Sequence, residues 1–186
     1  MSDFNELFCD VFAAELLLPY KLFKPLVDKA DIGLAAVDDL AARFVASTMA
    51  TGSRFAMLVS VPCAFVLSEK GKVRYASRSI LLRQANAWIP PQTVLPQGSL
   101  SKLLRAGGAS SGPVEVEADV WFSNWERGGT LLEDARHLGA WDQTVALLWF
   151  EDEEMPAPRR DRREREEEEF GLAELDGILP WPGRKR

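Results

Sequence analysis

Histidine is nearly absent from this 186-residue sequence: His137 stands alone. A zincin-type metal site needs two histidines one helical turn apart with a glutamate between them, so this chain cannot supply one. Ser-His-Asp and Cys-His catalysis would both have to recruit His137, which sits in Arg136-His137-Leu138-Gly139 and reads as a surface or turn residue. The Cys-x-x-Cys, Gly-x-x-x-x-Gly-Lys-Ser/Thr and Gly-x-Gly-x-x-Gly patterns are missing as well. Cysteine is scarce: Cys9 and Cys63 lie in apolar stretches and are expected to be buried free thiols of a reducing cytoplasm. A basic excess is also missing, since 22 Lys and Arg face 28 Asp and Glu for a net charge of −6. That balance argues against a protein whose main task is coating nucleic acid. No apolar run reaches the length that spans a bilayer. Asp3, Glu6, Asp10 and Glu15 precede the first lysine, which is not the pattern of a signal peptide.

What is present is the composition of a globular protein, 47% apolar and 27% charged. The chain opens on a helical stretch from Asn5 to Leu18, with Asp3 or Asn5 able to cap it and Pro19 to end it. Phe4, Leu7, Phe8, Val11, Phe12, Leu16 and Leu18 give it a broad apolar surface. Left without a packing partner, such a surface favours association with another chain. Glu6 faces out along a separate stripe, and by itself it reads as a first-turn carboxylate stabilised by the helix dipole.

Tyr20 to Ile32 reads as a loop or short helix, and Val37 to Phe44 as a helix. Ser47 caps a further helix from Thr48 to about Val59, which Gly52 weakens by about 1 kcal/mol. The two helices have the spacing of a helix-turn-helix. Arg54, Thr51 and Ser53 are a meagre base-reading set, so core packing is the default reading and DNA binding the lesser one. At residue 61 the period changes. Val61 to Leu67 and Lys72 to Ser77 form a hairpin signal, and Ile80 to Trp88 reads as helical. Ser99 caps an amphipathic helix from Leu100 to Arg105, followed by the flexible Gly107-to-Gly112 loop. Val114 to Phe122 alternates as a half-buried strand, and Gln143 to Phe150 is apolar enough for a central one. From Glu151 onward the charge-dense run cannot bury a core and is expected to stay solvated. The expected class is therefore α+β: helices over 1–60, a small antiparallel sheet over 61–150, and a charged tail over 151–186.

Two motifs carry a resemblance. Glu6-x-x-Cys9-Asp10-x-Phe12-Ala13-Ala14-Glu15-Leu16-Leu17-Leu18-Pro19 resembles the helix that follows the H-E-x-x-H helix in the ImmA/IrrE family of zinc metallopeptidases. Asp39-Leu40-Ala41-Ala42-Arg43-Phe44-x-x-Ser47-x-x-Ala50-x-x-x-Arg54-Phe55 is similar to the paired helices of that family. The resemblance implies that Glu6 descends from the third zinc ligand of a His-His-Glu site. It implies a cytoplasmic protease that cleaves a helix-turn-helix repressor and so derepresses stress or mobile-element genes. Longer members add a GAF-like sensor domain, to which residues 61–150 would correspond. The N-terminal helices would then be the remnant of a zincin-like domain. The H-E-x-x-H helix itself is not in this sequence, and Glu6 alone does not hold zinc. The chain as given is expected to lack peptidase activity, either as the C-terminal portion of a longer protein or as a short relative that kept only the scaffold. The alternative is a non-catalytic regulatory or ligand-sensing protein.

Overall fold

A computed structural model describes residues 12–123 and 125–151. Glu6, Cys9 and the charged tail lie outside the described residues. The fold is α+β, with N-terminal helices and a five-stranded antiparallel sheet. Residues 12–17 are helical (α1) and stop ahead of Pro19, where proline cannot continue a helix. Then come α2 (Tyr20–Val27), α3 (Leu34–Phe44) and α4 (Thr48–Leu58). Strands β1 (Cys63–Glu69) and β2 (Lys72–Arg78) form the expected hairpin, turning on Lys70 and Gly71 at positive φ. Short helices α5 (Ile80–Gln84) and α6 (Leu100–Arg105), strand β3 (Val114–Glu117) and the single turn α7 (Ala118–Trp121) follow. Strands β4 (Thr130–Leu138) and β5 (Gln143–Trp149) complete the sheet, whose order is β2-β1-β5-β4-β3.

Strand periodicity sends alternate residues to opposite faces, and each face has its own core. Phe65, Leu67, Val145, Leu147 and Trp149 point to one side, where they meet Phe23 of α2, Leu34 and Val37 of α3, and Phe55 of α4. Ala64, Val66, Ala146 and Leu148 point to the other, beneath Leu82 of α5, Trp121 of α7, and Phe122, Trp125 and Phe150. Strand β5 lies between β1 and β4 and is covered on both faces, which is why QTVALLW is almost unbrokenly apolar.

Local signals explain most boundaries. Ser47 accepts from the Ala50 N–H at 3.2 Å and Ser99 from the Lys102 N–H at 3.2 Å, so both helices start where their caps lie. Helix α3 ends on Val45 in the left-handed region (φ 52°), which turns the chain into α4. Gly52 lies against the Phe65 ring: a Cβ there would sit 2.3 Å from a ring carbon. The glycine that weakens α4 by propensity is what lets this helix reach the sheet.

Two expectations are corrected. Val114 to Phe122 is not one strand: β3 stops at Glu117, and Ala118, Trp121 and Phe122 bury a helical i, i+3, i+4 face instead. Helix α5 does not run to Trp88 but ends at Gln84, and Asn86 takes a left-handed conformation (φ 56°). Among the described residues, no helix is long and apolar enough to cross a membrane. The described part of α1 leaves Phe12 and Leu16 about 70% exposed, whereas Leu18 is buried.

Candidate functional site

Glu133 is fully buried, at 0% exposure, in the middle of β4. Its carboxylate accepts from the Leu100 N–H (3.0 Å), the Ser101 N–H (2.8 Å), the Ser101 hydroxyl (2.6 Å) and the Trp121 Nε1–H (2.9 Å). All four contacts are donors, which matches an acceptor-only carboxylate. The first turn of α6 is thus held on the sheet by a side chain from β4, with the indole of α7 on the same oxygen as the Leu100 N–H.

The next residue, Asp134, faces the other way and accepts from the Leu34 N–H at 2.7 Å. Gly33, the residue before α3, has no side chain to cap with, and Asp134 takes over that role from 100 residues away. On the same face, Arg136 reaches Asp38 of α3 at 2.6 Å. Strand β4 therefore holds a helix on each face of the sheet.

A groove of about 530 Å³ runs along α6. Leu100, Leu103 and Ala106 of α6 face Val114 of β3 and Ala109 of the glycine-rich loop, while Gln97, Ser110 and Lys102 give it a polar rim. The loop approaches closely because it carries glycine: a Cβ on Gly108 would meet the Leu103 side chain at 2.6 Å. Apolar walls, a few hydrogen-bonding groups and one cation suit a small amphipathic molecule.

The residues singled out from sequence fall elsewhere. Glu6, the metal-ligand candidate, lies outside the described residues. Among those that are described, no group of three His, Cys, Asp or Glu is placed to hold a metal ion. His137 is not in a turn; it lies within β4, and its Nδ1 is 2.9 Å from the hydroxyl of Thr144, its cross-strand neighbour. Cys63 is a buried free thiol whose pKa is pushed well up by burial, so it is not a ready nucleophile at neutral pH. Arg54 is ion-paired with Glu15 of α1 at 2.5 Å, and Thr51 and Gly52 are buried against the core. Among the described residues, the Thr51 hydroxyl and Arg54 Nε find no hydrogen-bond partner. Sequence reasoning missed Glu133. Its signal was a carboxylate directly after Leu131 and Leu132, in a stretch lying between two apolar runs. No protein-family model and no curated protein matches the chain.

Proposed function

We propose that the chain is a non-catalytic, ligand-sensing regulatory module of the ImmA/IrrE type, taking up a small amphipathic molecule in the α6 groove. One observation carries this reading: α6 is a wall of the groove and is anchored by Glu133, while the adjacent Asp134 anchors α3 on the opposite face. A ligand that shifts α6 thus acts on β4, and through Asp134 and Arg136 on α3 and its partner α4. Residues 61–150 take the role of the GAF-like sensor, and the sheet with its covering elements is compatible with that role.

The resemblance supplies the surrounding system. The regulated activity is zinc-dependent cleavage of a helix-turn-helix repressor in the cytoplasm. Glu6 is the remnant of that zinc site, and its histidine partners would come from an H-E-x-x-H helix outside this sequence. The chain alone does not hold zinc in this reading. The exposed Phe12, Leu16 and Leu17 would be its contact with a partner chain or domain.

The test is a thermal-shift screen of small aryl and alkyl carboxylates, followed by amide exchange. Binding is expected to raise the unfolding temperature, to protect α6 and to change exchange in α3. Leu103, half exposed, can be replaced by Glu with little cost to the fold, and Leu103→Glu should abolish the shift. Binding that Leu103→Glu leaves intact, or protection that stops at α6, would overturn the reading. Stoichiometric zinc on the purified chain that disappears in Glu6→Ala would overturn its metal-free part.

A further inference from the structure

A second groove, of about 400 Å³, lies between α2 and α3, on the helices that cover the opposite face from α5 and α7. Leu22, Leu26 and Phe44 line its apolar part, and Lys21, Lys29 and Arg43 surround them. Each of these cations is exposed and has no ion-pair partner among the described residues. Their carboxylate neighbours are otherwise engaged or out of reach. Asp28 is taken by Lys24, and Asp39, one turn before Arg43, does not pair with it. Three cations that are unpaired among the described residues, set around apolar side chains, are the complement of a segment that carries several carboxylates next to a large apolar residue.

The chain itself carries such a segment. Glu166-Glu167-Glu168-Glu169 is followed at once by Phe170 and, after Gly171, by Leu172. Its tether starts in the right place. Glu151, the last described residue, shares a depression with Ala30, Asp31 and Ile32, and Ala30 directly follows Lys29 of the basic groove. The residues between Glu151 and Glu166 can span on the order of 50 Å when extended. A domain of this size is on the order of 40 Å across, so every part of the groove is within reach. The nearer acidic run, Asp152 to Glu154, fits less well: it follows directly on Glu151, which shares a depression with Asp31, and the aromatic residue just before it, Phe150, is buried in the core. Tethering gives the downstream segment a local concentration in the millimolar range, so a modest interaction suffices.

We propose that Glu166 to Leu172 of the same chain docks in the α2–α3 groove. The carboxylates meet Lys21, Lys29 and Arg43, and Phe170 and Leu172 cover Leu22, Leu26 and Phe44. The inference stands independently of the α6 groove.

Zero-length carbodiimide cross-linking of the full chain tests it, because the reaction joins a carboxylate to an amine already in contact. Peptide mass spectrometry should find Lys21 or Lys29 joined to Glu166–Glu169 in monomeric protein. The yield should be unchanged on tenfold dilution and should fall several-fold in 1 M salt. Arg43→Glu should lower it several-fold and Arg43→Lys should not, with both variants keeping the unfolding temperature of the parent because Arg43 is exposed. Equal cross-linking of the tail to Lys70 and Lys102 would overturn the proposal. So would cross-links that disappear on dilution, since they would place the segment on a second copy.

Discussion

Glu133 and Asp134 are consecutive residues of β4 whose side chains leave the sheet on opposite faces, and each holds the first backbone N–H of a helix, Leu100 in α6 and Leu34 in α3. The pair replaces capping that the helices supply only in part. Ser99 already caps α6 from its own sequence, whereas α3 follows Gly33, which has no side chain to cap it.

This division makes the two carboxylates unequal. Glu133→Gln puts an amide N–H₂ among four donors and should cost about 2 kcal/mol, the range expected for a buried polar mismatch. Glu133→Ala adds a cavity and should cost about 3 kcal/mol or more. Asp134→Asn keeps an acceptor for Leu34 in a part-buried setting and should cost less than about 1 kcal/mol. Denaturant unfolding checks the order; equal losses for Glu133→Gln and Asp134→Asn would contradict it.

Gly52→Ala should destabilise, against helix propensity. Alanine gains about 1 kcal/mol in a helix interior, but the added methyl would lie 2.3 Å from the Phe65 ring in a closed core. Overpacking of this kind costs about 1–3 kcal/mol. The double variant Gly52→Ala/Phe65→Leu should recover part of the loss relative to the sum of the single variants. Additive losses in a double-mutant cycle would mean that the two positions do not meet.

Val45→Gly should do the reverse. A β-branched residue at φ 52° is strained by about 1–2 kcal/mol, and at 91% exposure Val45 gains little from packing. Glycine relieves the strain and costs about 0.5–1 kcal/mol in unfolded-chain entropy, leaving a small net gain. A rise of a few degrees in unfolding temperature is the expected result, and Val45→Ala should not reproduce it.

Asp142 ties the β4–β5 connection to the end of α6 through a bidentate contact with Arg105, at 2.8 Å for each bond. That hydrogen bonding, with charge attraction from Arg105, His137 and Lys70, holds the Asp142 carboxyl below its usual range. A depressed carboxylate stabilises above its unfolded value, and the contribution is lost as pH falls through the lowered folded value. Wild type should therefore exceed Asp142→Asn in stability at neutral pH, and the gap should close on acidification below pH ~4. A gap that persisted into strong acid would exclude this origin.

The elements that were legible in sequence are those whose signals are local. Ser47 and Ser99 caps, the Lys70-Gly71 turn and the apolar run of β5 are fixed by a few neighbouring residues, and all appear in the fold. The site was not legible in the same way. Glu133 meets Leu100 and Ser101 across more than thirty positions, and Asp134 meets Leu34 across a hundred, so neither contact has a sequence period. The failure at Val114 to Phe122 has a different cause. Ala118 and Phe122 fit both an alternating and a helical pattern, whereas Trp121, which alternation puts on the wet face, is buried only in the helical one, where it bonds Glu133.

Trp121 also gives the protein an internal optical reporter. Its indole N–H is bound to the carboxylate that anchors α6, in a site closed to water. Trp149 lies in the core on the other face of the sheet, while Trp88 and Trp141 are wet. Loosening of α6 changes the hydrogen bonding and polarity around Trp121 directly, and reaches Trp149 only through β4, with which it pairs. An indole on each face of the sheet thus reports from its own side, and Trp121→Phe and Trp149→Phe variants separate the two contributions to the emission without an added label.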